Sequence, residues 1–343
     1  MTFEQHTNPE VRELALQVRD FINTEVIPHE GTLRAESHGI DPSVRDELQQ
    51  AARTAGVFAP TAPREFGGLQ LNHVAQAVIL EESGRSLLGP TAMNCAAPDE
   101  GNILLLDKVT NPAQREKYLA PLAQGKARSS FAMTEPAPGA GADPEQLSTT
   151  AVKTAQGWSI SGNKWFITGA DGAAFSIVMA RTEHGATMFL VDADNPGMTV
   201  VRNLDTLDSA FTGGHGEVSF DNCLVSDDSV LGEVGKGFEY AQVRLGPARL
   251  THCMRWLGAA RRAHEVAVTY SWNRPMFAST ESKLGMAQQL IADNEIDIAA
   301  SRALIHQAAW ALDQGKPARK ETSLAKTFVA EATYRVVDRS MQL

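Results

Sequence analysis

The sequence predicts an α+β protein built from three successive domains. We expect an N-terminal α-helical domain, a central antiparallel β-sandwich or barrel, and an incomplete C-terminal domain that resembles a four-helix bundle. Helix start signals and helical apolar spacing occur at both ends of the chain, whereas apolar residues in the middle recur with a period of two. The predicted domains are residues 1–127, 128–235 and 236–343.

Three acceptor side chains, each followed by proline, mark predicted helix starts in the N-terminal domain. They are Asn8, Asp41 and Asn111, and each lies where a helix N-cap needs a side-chain oxygen. Apolar residues after the first of them recur at helical spacing on one side. This pattern predicts that residues 1–127 are helical throughout.

Alternating apolar and polar residues predict short strands in the central domain. Trp158 and Ile160 alternate with polar neighbours, and Trp165 and Ile167 follow after the Ser-Gly-Asn sequence at 161–163. Because that sequence is typical of a turn, we expect a hairpin there. Further short strands follow without helical crossovers between them, which favours an antiparallel sheet.

A heptad repeat predicts long packed helices in the C-terminal domain. Apolar residues fall seven apart over four heptads, a spacing typical of close packing in a helix bundle. The residues are Leu284, Ile291, Ile298, Ile305 and Leu312.

Composition excludes several classes of protein. With 41 acidic and 31 basic side chains, the net charge of -10 opposes sequence-independent binding to nucleic acid. The three cysteines are far apart in sequence and predict neither a disulfide framework nor a zinc site. We find no basic cap with an apolar stretch at the start and no run of about 18 apolar residues. We therefore expect a soluble cytoplasmic protein without membrane insertion.

Common catalytic motifs are also missing. The glycines at 139, 141, 232, 235 and 237 lack the Rossmann spacing, and no Walker lysine follows them. No pair of histidines has the zinc-protease spacing, and no serine lies in a nucleophile elbow. Hydrolase and metalloenzyme functions are disfavoured, and no metal site is predicted.

Two longer strings identify a family resemblance. FAMTEPAPGAGAD at 131–143 and GNKWFITGA at 162–170 resemble segments of the acyl-CoA dehydrogenase family, whose three-part architecture matches the predicted domains. Further similar segments include NCAAPDEGN at 94–102, SFDNCLV at 219–225 and GPARL at 246–250, so the resemblance covers nearly the whole chain.

The resemblance implies an FAD-dependent oxidoreductase of fatty acid metabolism. Family members remove two hydrogens from an acyl-CoA thioester: the α proton passes to a glutamate and the β hydrogen leaves as hydride to flavin N5. The expected electron acceptor is an electron-transfer flavoprotein. The expected assembly is a homo-oligomer, either a dimer or a tetramer.

The resemblance also implies binding residues. Thr134 is the best candidate for a hydrogen bond near flavin N5, and Arg249 matches an arginine close to the thioester ligand. Arg274, Phe277 and Gln342 resemble residues that reach the FAD of a neighbouring subunit. The expected cofactor-binding residues are Phe131, Met133, Thr134, Gly141, Phe166, Ile167, Thr168, Arg274, Phe277 and Gln342, and the expected substrate-binding residues are Ala142 and Arg249.

Three departures from the family pattern leave the chemistry open. Ala142 replaces a common serine, Met276 replaces a common threonine, and Ala248 lies where some relatives carry the catalytic base. Relatives usually carry that base in a segment after Gln342, so the sequence predicts a truncated enzyme whose base is unknown. The alternatives are a noncatalytic partner subunit of a hetero-oligomer and a flavin-dependent monooxygenase of the same fold.

Overall fold

The computed structural model describes residues 8–32, 38–141, 143–208 and 212–343. It confirms the predicted fold class, because helices at both ends of the chain enclose a curled sheet. The boundaries of the three domains remain a prediction.

The N-terminal helices begin at the predicted caps. Asn8, Asp41 and Asn111 each accept a hydrogen bond from a backbone N–H in the first turn of the helix that follows. The α-helices are α1 (Pro9–Phe21), α2 (Pro42–Thr54), α3 (His73–Ser83), α4 (Gly89–Ala92), α5 (Asp99–Val109), α6 (Pro112–Gln114) and α7 (Ala120–Ala123). Helix α1 continues into a π-helical turn, Ile22–Val26, and a 3₁₀ turn, Ile27–Thr32; another π-helical turn, Arg115–Leu119, joins α6 to α7.

The central sheet has seven strands. They are β1 (Ser129–Ala132), β2 (Thr150–Thr154), β3 (Gly157–Thr168), β4 (Phe175–Thr182), β5 (Gly185–Asp192), β6 (Met198–Asn203) and β7 (His215–Val225). Their order in the sheet is β1-β4-β2-β3-β7-β6, with β5 paired to β4. Most pairs are antiparallel, but β1 and β2 both run parallel to β4 where they meet it.

The hairpin predicted around residues 161–163 is wrong, because β3 runs without interruption through this segment and pairs with β7. Gly162 has φ +148°, and a Cβ there would lie 2.7 Å from the Thr149 Cα. Glycine therefore allows close approach to Thr149 at a register shift, where the sequence suggests a turn.

Three long helices form the C-terminal part, and α3 packs against two of them. They are α8 (Gly237–Asn273), α9 (Gly285–Asp313) and α10 (Arg319–Gln342), with a short hairpin of β8 (Pro275–Met276) and β9 (Ser279–Thr280) after α8. Ile298 and Ile305 of the predicted heptads are buried, whereas Leu284 caps α9 from outside the helix. Helix α8 also packs against α5, β5 and α10, so it can place one face beside the sheet.

Candidate active site

A cleft of about 500 Å³ lies between the sheet and helix α8. This volume is in the range of pockets that bind drug-sized ligands. We call it the sheet–helix cleft, and it is lined by Ala97, Pro98, Phe131, Met133, Thr134, Ala140, Gly141, Pro144, Phe166, Thr168, Gln242, Arg244, Leu245, Arg249 and His252.

The structure brings most of the predicted binding residues to this cleft. Seven of them line it: Phe131, Met133, Thr134, Gly141, Phe166, Thr168 and Arg249. Ile167 is adjacent in sequence, but its side chain is buried in the core of the sheet, so only its backbone is available to a ligand. Ala142 lies outside the described residues.

The other three predicted residues lie away from the cleft. Arg274 and Phe277 belong to the segment of the β8–β9 hairpin, where the Phe277 side chain is 85% exposed. Gln342 is exposed at the end of α10. None of these three residues lines the cleft of its own chain.

A bulge in β3 presents an aromatic side chain to the cleft. The register between β3 and β7 shifts between Lys164 and Ile167. Within this bulge Phe166 has φ +54° and is 52% exposed, an unusual combination for a phenylalanine. The irregular backbone thus turns Phe166 out of the sheet core.

Thr134 connects the end of β1 to this bulge. Its hydroxyl donates a hydrogen bond of 2.7 Å to the Trp165 carbonyl, and the Trp165 N–H donates 3.1 Å to the Thr134 carbonyl. Because a hydroxyl has one proton, Thr134 Oγ1 retains acceptor capacity for a ligand.

Thr168 is held by a second chain of polar contacts. Its hydroxyl lies 2.9 Å from His215 Nδ1, and His215 Nε2 lies 3.1 Å from Asp208 Oδ2. An ionised Asp208 only accepts, so it favours the proton on Nε2 and leaves Nδ1 of a neutral ring to accept from Thr168. The Thr168 hydroxyl then also has acceptor capacity on the cleft wall.

A buried ion pair supports the loop that carries Gly141. Glu135 and Lys164 are fully buried side chains joined at 2.8 Å. Burial opposes ionisation of Glu135, but the Lys164 ammonium and hydrogen bonds from Ser148 and Thr149 outweigh it and hold the Glu135 pKa below its usual range. Burial lowers the pKa of Lys164 to about 8, against the attraction of Glu135. Glu135 is therefore structural.

Arg244 places a fixed positive charge at the cleft wall, against the Phe131 ring. Its guanidinium lies 4.1 Å from the centre of the Phe131 ring, and its Nε donates 2.7 Å to Asn102 Oδ1. Burial lowers the Arg244 pKa to about 10, while Glu100 and Asp99 oppose that shift, so the guanidinium stays charged at neutral pH.

Sequence reasoning missed Gln242, Arg244, Leu245 and His252. Gln242 lies seven residues before Arg249, Leu245 lies four residues before it, and His252 lies three residues after it. These three residues therefore share the face of α8 that carries Arg249. Helical spacing from Arg249 could have found these three residues. Arg244 lies off that spacing, and its contact with Phe131 depends on tertiary packing.

Within the described residues, no carboxylate lines the sheet–helix cleft. Its ionisable groups are Arg244, Arg249 and His252. Burial, together with the charges of Arg255, Lys326 and Arg244, lowers the pKa of His252 to about 3, so this imidazole is a weak base.

The described part of the chain lacks two further features. Its helices include none with the length and hydropathy to cross a bilayer. Its His, Cys, Asp and Glu side chains form no cluster of three or more that could hold a metal ion.

Sequence comparison matches three family models in chain order. They describe the acyl-CoA dehydrogenase N-terminal domain at residues 8–126, the middle domain at 130–223 and the C-terminal domain at 235–343. A probable acyl-CoA dehydrogenase of Mycobacterium tuberculosis, FadE2, is 37% identical over 313 residues, 88% of this chain and 76% of that protein. Acyl-CoA dehydrogenase family member 10 of Mus musculus is 33% identical over 98% of this chain, which spans only 33% of the mouse protein.

Solved structures share the fold over nearly the whole chain. A putative acyl-CoA dehydrogenase from Mycobacterium abscessus has a TM-score of 0.89 and 36% identity, with 98% of this chain and 88% of that chain covered. Butyryl-CoA dehydrogenase from Megasphaera elsdenii has a TM-score of 0.87 and 27% identity, with 100% and 89% covered.

Proposed function

We propose that this chain, which belongs to the acyl-CoA dehydrogenase family, binds FAD and an acyl-CoA thioester in the sheet–helix cleft and serves α,β-desaturation of that thioester. The observation that carries the proposal is the meeting of seven family-matched residues in one cleft of sufficient volume. They come from β1, β3, the loop between β1 and β2, and α8.

The chemistry of the cleft wall fits a flat, partly apolar ring. Phe131, Met133 and the exposed Phe166 offer apolar surface, while Thr134 and Thr168 add hydroxyl groups at the same wall. Thr134 donates its hydroxyl proton to the Trp165 carbonyl, so its oxygen is available as an acceptor for a ring N–H, and Thr168 is equally available when His215 Nδ1 accepts from it. A bound flavin would supply the acceptor for the substrate hydride.

On the helix side, the arginines suit an anionic or carbonyl-containing ligand. Arg249 is exposed at the cleft and is the proposed contact for the thioester portion of the ligand. Arg244 is held by Asn102 and contributes positive potential beside Phe131. An electron-transfer flavoprotein is the proposed acceptor partner, on the basis of the family resemblance.

Exposure of the hairpin supports a proposed homo-oligomer. Phe277 is among the most exposed large apolar side chains of the described residues, and Gln342 is exposed at the end of α10. We place both against the cofactor of a second copy, as the family resemblance implies. Such an assembly would cover apolar surface that one chain leaves in water.

A second candidate function is a partner chain that binds the ligands without supplying the catalytic base. The absence of a carboxylate from the described cleft wall favours it, because His252 is too weakly basic for α-proton abstraction. Under this alternative, another chain of a hetero-oligomer supplies the base.

Anaerobic titration of the FAD-loaded protein tests the proposal and separates these candidates. FAD is added to the purified protein, unbound FAD is removed, and butyryl-CoA and octanoyl-CoA are titrated while the flavin absorption is recorded. Bleaching by either thioester supports the dehydrogenase. A shift of the flavin bands without bleaching supports the partner chain, and a folded protein that retains no FAD contradicts both.

A further inference from the structure

A second, smaller cavity adjoins the sheet–helix cleft. This inner cavity has a volume of about 80 Å³ and lies against α8, α2 and the segment from Gly84 to Asp99. Ala97, Pro98 and His252 line both the inner cavity and the cleft. Since a single water needs about 10–15 Å³, the inner cavity has room for a short chain segment with a substituent.

Many polar groups on the wall of the inner cavity already have protein partners. Amide groups of Gln49 and Asn94 donate to backbone carbonyls, and Ser129 donates to the Asp99 carboxylate. Arg45 and Arg128 donate to backbone carbonyls as well. These groups therefore form a polar but largely satisfied wall.

Three lining residues differ from that wall: Thr212 has a buried hydroxyl oxygen without a hydrogen-bond partner among the described residues, and Arg255 and His252 also have polar atoms without partners. Arg255 is 6% exposed; its Nη1 donates 3.0 Å to the Cys95 carbonyl and lies 3.5 Å from Glu100 Oε2. Its Nη2 is buried and has no hydrogen-bond partner within the described residues. The described residues likewise give the His252 imidazole no hydrogen bond. A buried donor without a partner costs about 1–3 kcal/mol, and more when it is charged.

Arg255 and His252 can act on one ligand. They lie three residues apart on α8, so they share a helix face, and both line the inner cavity. The wall also carries Arg45, Arg128 and the Asp99 carboxylate, while Glu100 offsets part of the Arg255 charge. A saturated hydrocarbon tail would leave both His252 and Arg255 Nη2 without partners.

We propose that the inner cavity binds an oxygen substituent on the acyl chain, with Arg255 as donor and His252 as a second hydrogen-bond partner. This inference rests on the proposed function, because it takes the acyl chain to enter from the sheet–helix cleft. Desaturation involves carbons 2 and 3, which must remain in the cleft, so the substituent belongs at carbon 4 or beyond. The preferred ligand is therefore an oxygenated acyl-CoA rather than a plain fatty acyl-CoA.

Calorimetric titration of the FAD-loaded protein tests the preference without requiring turnover. The probes are hexanoyl-CoA, its hydroxylated forms at carbon 4, 5 or 6, and the ω-carboxylate adipyl-CoA. We expect at least one oxygenated thioester to bind roughly tenfold more tightly than hexanoyl-CoA, as a hydrogen bond to a charged donor allows. The hydroxyl and carboxylate arms distinguish a neutral from an anionic substituent.

Three variants connect the preference to the cavity. Arg255→Lys keeps a cation beside Glu100 but removes the guanidinium donors, and it should reduce the preference to about twofold or less while hexanoyl-CoA binding is retained. His252→Phe removes the second hydrogen-bond partner, and it provides the test of the preference if Arg255→Lys does not fold. Met254→Leu, a core change on α8 that lines neither cavity, should keep the preference.

Equal affinity for hexanoyl-CoA and every oxygenated probe would overturn the inference and leave the proposed function intact. A preference that survives in both the Arg255 and His252 variants would also overturn it. A protein that retains FAD but binds none of the thioesters would contradict the proposed function itself.

Discussion

Replacing Glu135 with glutamine tests whether the buried Glu135–Lys164 ion pair stabilises the loop that carries Gly141. The carboxylate accepts from the Ala140, Ser148 and Thr149 N–H groups and from Lys164 Nζ, all at 2.7–2.9 Å. Glu135→Gln removes the negative charge beside the buried Lys164 ammonium, and it turns an amide N–H₂ toward N–H groups that need an acceptor. Breaking a buried pair in this way costs about 3–5 kcal/mol of unfolding free energy. We expect a fall in melting temperature of roughly 4–7 °C for a chain of this size.

An exposed pair in the same sheet region provides the control. Lys153 and Asp227 form an ion pair with side chains 48% and 67% exposed, so Asp227→Asn should cost at most about 1 kcal/mol. Urea unfolding at pH 7, followed by circular dichroism, measures both variants. The stability that Glu135 contributes is present above the ordinary carboxyl pKa and is lost as pH falls through its lower folded pKa. Equal losses in the two variants would refute this reasoning.

Three further predictions concern residues at the cleft and its periphery. His252 has a folded pKa of about 3, so below pH 6.5 its imidazole takes up a proton when the protein unfolds. Between pH 7 and pH 5 the wild type should therefore lose about 2 kcal/mol more unfolding free energy than His252→Phe, as measured by urea titration. Identical pH profiles of the two proteins would contradict burial of a neutral imidazole. Thr168→Val should weaken FAD binding by about 5–10-fold in a fluorescence titration, because one hydrogen bond is lost. Thr199→Val, at an exposed position of β6, should leave FAD binding unchanged. Equal effects of the two substitutions would contradict a contact between Thr168 and FAD. Phe277→Ala should lower FAD affinity at least about fivefold and reduce the oligomer in light scattering; unchanged affinity and mass would argue against a contact with a second copy.

Local sequence signals predict much of the fold. The N-caps at Asn8, Asp41 and Asn111 depend on neighbouring residues, and the buried Ile298 and Ile305 follow from helical periodicity. Residues 161–163 mislead because a glycine required for close approach of two backbones resembles a glycine required for a turn. That difference is decided by Thr149, which is distant in sequence.

Sequence alone predicts some residues of the candidate site and not others. Thr134 and Phe166 lie in strings that the family resemblance identifies, so sequence alone places them in the site. Arg244 acquires its setting from Asn102 and Phe131, and His252 acquires its low pKa from burial and from neighbouring cations. Such properties depend on tertiary packing, which no local pattern contains.

The most direct measurement is a crystal structure of the protein after loading with FAD. We expect the isoalloxazine ring to lie against Thr134, Phe166 and Thr168, opposite the face of α8 that carries Arg249. A ring bound at any other surface, with these side chains still lining an open cleft, would contradict it.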